Sequence, residues 1–357
     1  MERLLGLFHG YALLIGLTSY KVVNGIYRQT WLTRAYALVL NVLIISILPF
    51  VFWTISWLTA SAPWLPDIMF ITPFILYTVN YANIVYILTS RFYRDSMLID
   101  LLYLSKDLNR KMEQAGMRRN AKLQRLLSFK TFTFSFLCVA PLTFLGSVTL
   151  DSFIVNAAYS ILNATTYFYF ASFWQIARGF VYVNEEIAKI IVGGLELNNE
   201  ELRDLWYLHS TLSRMAHRIN RNYGLQMIVS RLDFIIYTII FGYVGMIFLH
   251  EGITLIKFYA SLLYLVRTVD FFLNDFICEL TSRYQSHPKH EISEGVMSQE
   301  LSDYLIYESS LRLDLKVCGL YITNKTQWLQ TMAVVMSNSM LLLQFYLILR
   351  DDDTENI

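Results

Sequence analysis

The sequence predicts an all-α membrane protein with seven transmembrane helices, on the evidence of its composition, its long apolar runs and the absence of a β-barrel pattern. Of the 357 residues, 55% are hydrophobic and only 16% are charged, whereas soluble domains average about 25% charged residues. A soluble protein of this size could not bury so much apolar surface in one core. The composition therefore excludes an ordinary soluble enzyme, a disordered chain and a disulfide-framed secreted module.

Seven apolar runs are long enough to cross a bilayer core, which requires about 20 residues of helix. Each run is expected to be helical because unsatisfied backbone groups are costly in lipid, and the alternating segments of a barrel are absent. Pro49, Pro73 and Pro141 fall inside these runs and predict kinks. The predicted spans are Tyr36–Leu58, Ile68–Ser90, Phe129–Leu150, Phe153–Ala177, Leu232–Leu249, Ile253–Ile277 and Leu329–Leu349.

An earlier apolar segment, Leu4–Leu17, is too short to cross a membrane. No small-x-small cleavage site follows it, so a signal peptide is not indicated. We expect this segment to form an interfacial helix or a buried helix on the cytosolic side.

The distribution of lysine and arginine predicts the orientation in the membrane. The basic connections are residues 1–35, 91–128, 178–231 and 278–328, and the short connections at 58–67, at 151 and at 250–252 have no lysine or arginine. In all, 26 of the 29 cations fall on one side, the exceptions being Lys257, Arg267 and Arg350. Because cytoplasmic loops are enriched in these residues, the amino terminus is predicted to be cytosolic and the tail at 350–357 extracellular.

In the predicted orientation, the cysteines are not expected to form disulfides and the glycosylation signals are not expected to be used. Cys138, Cys278 and Cys318 fall in a span or on the reducing side, so no disulfide is expected. The sequons at Asn163 and Asn324 fall in a span and on the cytosolic side, so both are predicted to stay unglycosylated.

The sequence has no convincing catalytic or metal motif. His287 and His290 form a loose H-x-x-H, but a metal site needs three or four converging ligands. His209 and His217 lie in a charged cytosolic segment, and no nucleophile-elbow, phosphate-loop or zinc-protease pattern occurs. We therefore expect no enzyme activity, no metal, no cofactor and no nucleic-acid partner.

Charges inside the membrane are the first candidates for function, because ionisable groups there are expensive. The sixth span contains Lys257, Arg267, Asp270 and Asp275. Arg267 and Asp270 are three residues apart and therefore share a helical face, which predicts an intramembrane ion pair. That pair is either a gating contact or a purely structural one. Asp275 and Asp233 lie nearer the cytosolic ends, where hydration is expected.

Polar and aromatic residues are enriched in the outer halves of the spans. Small-molecule sites are concave and mostly apolar, with a few placed polar groups, so a pocket open to the outside is one interpretation. An aromatic belt at the membrane interface is the other. The pocket candidates are Tyr77, Asn80, Tyr81, Asn156, Tyr159, Asn163, Tyr243, Tyr259 and Tyr264, with Thr166, His250 and Lys257 nearby.

The last span is interrupted by Ser337-Asn338-Ser339 and contains Gln344-Phe345 in its outer half. A glutamine there needs water or a polar partner. A helix lining a pore supplies water, and rings of residues such as Leu341 and Ile348 can gate by dewetting. An interhelical hydrogen bond from Gln344 is the alternative.

Asp351, Asp352 and Asp353 follow this span. If several copies surround a pore, these carboxylates would concentrate cations at its outer mouth. A solubilising terminus is the alternative.

The spans, the inside amino terminus, the minimal outer loops and Gln344-Phe345 together resemble the insect gustatory receptors. The family signature in the last span is Thr-Tyr, five mostly hydrophobic residues and Gln-Phe. Ser339 to Leu343 match the five-residue spacer, but Ser337-Asn338 stand where the family has Thr-Tyr. Ser337 keeps the hydroxyl group, whereas Asn338 lacks the aromatic ring.

The resemblance implies a tetrameric, ligand-gated, non-selective cation channel. It implies a ligand-binding bundle in 36–277, a cytosolic anchor in 178–231 and 278–328, and a pore lined by 329–349. Gln344 and Phe345 become the pore-gate positions. The divergent, short chain is more similar to the receptors for bitter compounds, so the expected ligand is a small organic tastant of the bitter, aversive kind. The expected location is the plasma membrane of sensory dendrites. Subunits of one kind or of several kinds would fit.

Two rival classes stay open. A G-protein-coupled receptor needs the opposite orientation, and its usual Asp-Arg-Tyr and Asn-Pro-x-x-Tyr motifs are missing. A transporter often shows internal repeats and broken helices. No clear repeat is present, although the interrupted last span would be compatible.

Overall fold

The computed structural model describes residues 2–23, 26–61, 70–117, 120–144, 150–193, 199–250, 255–286, 303–304, 306–307 and 313–355. Helices account for most of them. The helices are α1 (Glu2–Leu14), α2 (Trp31–Ala60), α3 (Thr72–Thr89), α4 (Arg91–Gln114), α5 (Ala121–Phe144), α6 (Leu150–Gly193), α7 (Asn199–His250), α8 (Leu255–Gln285) and α9 (Lys325–Glu355). Two antiparallel hairpins, β1–β2 (Lys21–Val23 and Ile26–Arg28) and β3–β4 (Lys316–Val317 and Tyr321–Ile322), complete the described fold.

Over the residues that the structure describes, each of the seven predicted spans coincides largely with one helix, namely α2, α3 and α5 to α9. Two stretches, Trp31–Leu58 and Glu200–Ile240, are long and apolar enough by composition to cross a membrane. The other spans either run beyond the described residues or contain polar groups, such as Asn80 and Asn83 in the second.

Helices α6 and α7 are much longer than a bilayer is thick. They contain 44 and 52 residues, or about 66 Å and 78 Å at 1.5 Å per residue, against a hydrocarbon core of about 30 Å. The basic stretch 178–231 is therefore mostly a helical continuation of two spans rather than a loop.

The centre of the bundle is α6, which is buried on all sides over its middle. Trp174, Phe170, Phe173 and Phe180 are each no more than 2% exposed. A helix that is apolar all round belongs in a core. The indole of Trp174 satisfies its one donor by a 2.7 Å hydrogen bond to the backbone oxygen of Leu123 on α5.

The prolines do not all lie where kinks were predicted. Pro49 is inside α2 and Pro141 is near the end of α5. Pro73, however, occupies the first turn of α3. The missing N–H group costs nothing there, because first-turn donors have no intrahelical acceptor. The kink predicted at Pro73 was therefore wrong.

The amino-terminal segment forms a helix packed on one face. Phe8 of α1 contacts Phe134, Tyr167 and Phe168 at ring-centroid distances of 5.3, 4.1 and 4.6 Å, whereas Leu7 is exposed. Of the two predictions for this segment, an interfacial helix or a buried helix, the buried one therefore holds for one side of α1.

The residues after α1 attach to α4. The carboxylate of Asp95 accepts hydrogen bonds from the backbone N–H and the hydroxyl of Ser19, at 2.9 and 2.6 Å. Arg94 donates to the backbone oxygens of Leu17 and Ile87. The segment that follows α1 is thereby tied to α4.

The start of α9 is capped by its neighbours. Asn324 Oδ1 accepts a 2.7 Å hydrogen bond from the Gln327 N–H, and Glu279 Oε2 on α8 accepts one of 2.9 Å from the Lys325 N–H. These bonds satisfy two of the free donors at the helix start. The sequon asparagine Asn324 thus has a structural role.

Candidate ligand-binding and pore sites

Helix α8 contributes three charged side chains to the interior, and each forms an ion pair with a residue of α5 or α7. Asp270 meets Lys130 of α5, Arg267 meets Asp233 of α7, and Asp275 meets Arg231 of α7. All three carboxylates are at most 6% exposed as residues. Buried ions persist only when they are paired and hydrogen-bonded, so α8 is held in register by charge.

The Lys130–Asp270 pair is the most enclosed. Lys130 Nζ lies 2.7 Å from Asp270 Oδ2, and the lysine side chain is fully buried. Thr133, one turn along α5, donates a 2.6 Å hydrogen bond to the other carboxylate oxygen. Both oxygens of the carboxylate are therefore satisfied from a single face of α5.

The ion pair predicted between Arg267 and Asp270 is wrong. The two residues share a helical face, as their spacing requires, but each turns to a different helix. A contact between Arg267 and Asp270 within α8 would leave Lys130 of α5 and Asp233 of α7 buried without partners, and an unpaired buried charge is strongly destabilising. The expected hydration of Asp233 and Asp275 is likewise not found, since these residues are 5% and 1% exposed.

The Arg267–Asp233 pair is the centre of a polar cluster between four helices. Asn80 of α3 donates a 2.8 Å hydrogen bond to Asp233 Oδ1. The Arg267 guanidinium lies 4.0 Å from the ring centroid of Tyr237, a cation–π contact. Tyr159 of α6 lies within electrostatic range of both charges, of Tyr77 and of Tyr237.

Of the predicted pocket residues, Asn80 contacts this ion pair directly, Tyr159 lies within electrostatic range of it, and Tyr77 lies within electrostatic range of Tyr159. The cluster offers a carboxylate, a guanidinium face, phenols and an amide inside an apolar bundle. Such a set can hydrogen-bond the polar end of a small organic molecule and pack aromatic rings against its body. Asn156 is 8% exposed, and its Oδ1 lacks a hydrogen-bond partner among the described residues.

The other pocket candidates make different contacts. Tyr81 donates to the backbone oxygen of Ile45 at 3.1 Å, and Tyr259 packs against Phe136. The backbone oxygen of Tyr264 accepts a bond from Thr268. Asn163 is half-buried in α6 and Tyr243 is buried in α7. The side chains of His250 and Lys257 are outside the described set, as are His287 and His290.

Sequence reasoning missed Asp233 and Tyr237 as cluster members, and Lys130 with Thr133 as partners of Asp270. One signal was available: Asp233 and Tyr237 are four residues apart and Lys130 and Thr133 are three apart, so each pair shares a helical face. Opposite charges on separate spans could have been matched on that basis.

A third pair links the bundle to the last helix. Arg231 bonds both carboxylate oxygens of Asp275, at 3.4 and 2.9 Å, and also donates to Thr331 Oγ1 of α9 at 3.3 Å. Its guanidinium stacks 4.5 Å from the ring centroid of Tyr321 in β4. Movement of α8 relative to α7 would therefore act on the amino-terminal half of α9.

Helix α9 has one buried stripe and one exposed face. Thr331, Val335 and Ser339 are buried at four-residue spacing. The contact with α7 is close, because a Cβ on Gly242 would lie 2.6 Å from Ser339 Oγ. The candidates Ser337, Leu341, Gln344, Phe345 and Ile348 are all exposed in the single chain.

The exposed face contains a polar stripe opposite the buried one. At 100° per residue, the exposed residues Thr326, Gln330, Ser337 and Gln344 fall within about 40° of arc. Their centre lies roughly 160° from the centre of the buried stripe. A face turned to lipid would leave these polar groups without partners, so the stripe favours contact with water or with protein. Asp351 to Asp353 continue α9, with side chains outside the described set.

These features define a multi-span helical membrane protein with polar groups held inside an apolar bundle. A family model described as "7tm Chemosensory receptor" matches residues 5–348. The chain therefore belongs to the seven-transmembrane chemosensory receptor family, which is a receptor family rather than an enzyme family. The predicted resemblance to the chemosensory receptor family is confirmed.

A relative from Drosophila erecta named "Putative gustatory receptor 59b" is 44% identical over 300 residues. The match covers 80% of this chain and 51% of the relative, so the chain spans about half the length of the curated relative it matches.

Proposed function

We propose that this chain is a gustatory receptor subunit that acts as a ligand-gated, non-selective cation channel opened by a small organic tastant. Its amino terminus would be cytosolic, and four like or mixed subunits would surround a pore lined by α9. Bitter compounds are the first ligand class to test. The proposal is supported above all by the polar stripe Thr326, Gln330, Ser337 and Gln344 on the face of α9 that the bundle leaves uncovered.

The polar cluster around Asp233 and Arg267 would bind the tastant. A ligand opens a channel only if it binds the open state more tightly than the closed state. A molecule that hydrogen-bonds Asn80 or Tyr159 would change how α3 and α6 hold the α7–α8 pair. The Arg231–Asp275–Thr331 contacts would carry that change to α9.

The test is ligand-evoked current in excised patches without added G protein. A panel of small organic tastants should open a cation current within milliseconds in the wild-type chain. Gln344→Ala should alter the permeation of that current, and Asp351, Asp352 and Asp353 changed together to Asn should reduce inward current at low salt. Current that appears only with G protein present would refute the channel proposal.

A tag-accessibility experiment separates the receptor classes directly. An epitope ahead of Met1 should be reached by antibody only after permeabilisation. Labelling of intact cells would support the G-protein-coupled class, because that class needs the opposite orientation.

A further inference from the structure

The cytosolic ends of α5, α8 and α9 meet at a basic and aromatic surface outside the sites described above. We propose that this surface binds the phosphorylated headgroup of an anionic lipid in the cytosolic leaflet, with inositol phospholipids as the chemical class. The proposal rests on the proposed orientation, which places these helix ends inside the cell.

The first observation is that two ammonium groups lie over one aromatic ring. Lys122 Nζ of α5 is 5.8 Å and Lys325 Nζ of α9 is 4.6 Å from the ring centroid of Phe276 on α8. Each ammonium group is attracted to the face of this ring by a cation–π contact. Two convergent cations from different helices are the arrangement that a phosphate group neutralises best.

The second observation is that the local positive charge is not balanced. Among the described residues, Glu279 is the carboxylate that contacts these cations, and it is shared between Arg283 at 2.8 Å and Lys325 at 3.7 Å. Lys122 makes no ion pair within the described part of the chain. Within the ranges that the structure describes, three cations therefore face one anion, and Lys122 is exposed while Lys325 is half-buried.

The third observation is the order of residues along the outer face of α5. Lys122, Arg125, Phe129 and Phe132 follow one another at spacings of three and four, so they form one stripe. All four are exposed, the two phenylalanines at 62% and 64%. Charge at the cytosolic end followed by bare aromatic surface deeper in the membrane matches a headgroup with its acyl chains below it.

Helices α8 and α9 show the same order, with charged groups at the cytosolic end and aromatic rings deeper in the membrane. Phe272 stacks on Phe276 with ring centroids 5.6 Å apart, and Trp328 of α9 meets Phe272 edge-on at 5.0 Å. One turn of helix places Phe272 about 6 Å deeper than Phe276. Leu329, beside Trp328, is 61% exposed. Basic pockets between helices on the cytoplasmic side are suited to such headgroups.

Binding is measured directly on the purified full chain in detergent. The probes are short-chain phosphatidylinositol bisphosphate, phosphatidylcholine of the same chain length, and free inositol trisphosphate. The wild-type chain should bind the bisphosphate lipid. Lys122→Gln with Lys325→Gln should weaken that binding by at least about tenfold, and Lys111→Gln with Lys189→Gln, two exposed lysines paired with acidic neighbours, should leave it unchanged.

Three results would overturn the proposal: equal binding of phosphatidylcholine, unchanged affinity in the Lys122/Lys325 variant, or free inositol trisphosphate binding as tightly as the lipid, which would indicate a soluble ligand. Lys122→Gln alone guards against misfolding, because that exposed side chain makes no ion pair within the described helices. It should lower affinity while leaving the unfolding temperature without lipid unchanged. No current is measured, so a channel failure and a lipid-site failure are separable.

Discussion

The hydroxyl of Ser339 on α9 donates a 3.1 Å hydrogen bond to the backbone oxygen of Ile239 on α7. This bond needs a close approach of the two helices, which Gly242 permits because it has no Cβ. The polar interruption of the last span therefore has two separate roles. Ser339 faces the bundle, and Ser337 faces away from it.

Gly242→Ala should separate α9 from α7. The added Cβ would lie 2.6 Å from Ser339 Oγ and 3.2 Å from its Cβ, and such overpacking costs about 1–3 kcal/mol. The measurement is the unfolding temperature of the purified chain. Gly245→Ala is the matched control on the same helix, since nothing lies within 4 Å of its added Cβ. Equal shifts for the two variants would show that the contact is not tight.

Lys130→Met should destabilise the chain strongly, because it leaves the Asp270 carboxylate buried without its cation. Breaking such a pair costs about 3–5 kcal/mol. Lys130→Met combined with Asp270→Leu should recover most of the loss, because both charges are then removed. Thermal survival of monodisperse protein measures this. A double variant as unstable as the single one would mean that packing, rather than charge, is responsible.

Phe345→Ala is expected to leave a leaky pore. Phe345 is 56% exposed on the uncovered side of α9, where a large ring could narrow a channel that dewets. Resting current in membranes without ligand measures the leak. Met336→Ala, also on an exposed part of α9, should keep resting current low. An unchanged current in an assembled, surface-exposed Phe345→Ala variant would contradict this role.

Acid should destabilise the amino-terminal segment through His9. Burial lowers the pKa of this imidazole from 6.5 to about 4, and Nδ1 lies 3.2 Å from the Tyr20 hydroxyl. Below about pH 6.5 the His9 imidazole is protonated in the unfolded chain, whereas in the folded chain it stays neutral until about pH 4. Stability therefore falls as pH falls through that window, by about 2 kcal/mol between roughly pH 7.5 and 5.

His9→Gln should remove that part of the pH dependence. The comparison is the change in unfolding temperature between the two pH values, for wild type and variant. Equal changes would show that His9 is not the titrating group. The unfolding temperature near pH 7.5 serves as the control for a purely structural loss.

The helices of this fold could be predicted from sequence because hydropathy is a property of each segment alone. The partners of Arg267 and Asp270 could not, because spacing along one helix says nothing about which charges other helices present. The lengths of α6 and α7 beyond the bilayer were missed for a related reason. Polar residues that follow an apolar run interrupt the hydropathy signal, although in this fold they continue the same helix.

The candidate site, too, could be predicted only in part from the sequence. Tyr77, Asn80 and Tyr159 were predicted from polar residues in the outer halves of spans; Asn80 bonds Asp233, and Tyr159 lies within electrostatic range of both Asp233 and Tyr77. Asp233 itself was predicted to lie at a hydrated helix end. The sequence could not show its burial, because that burial is produced by α3 and α8 rather than by its neighbours along the chain. The amphipathic reading of α9 needed the structure as well, since burial of Val335 shows which face the bundle covers.

The claim that α9 lines a water-filled pore is tested most directly by thiol labelling. Cysteine is introduced singly at Ser337, Gln344 or Val335 in a chain whose native Cys138, Cys278 and Cys318 are replaced by alanine. A charged, water-soluble thiol reagent is then applied to the protein in lipid nanodiscs. The account predicts fast reaction at 337 and 344 and slow reaction at the buried position 335. Slow reaction at all three positions would place the polar stripe against lipid or protein and would contradict the account.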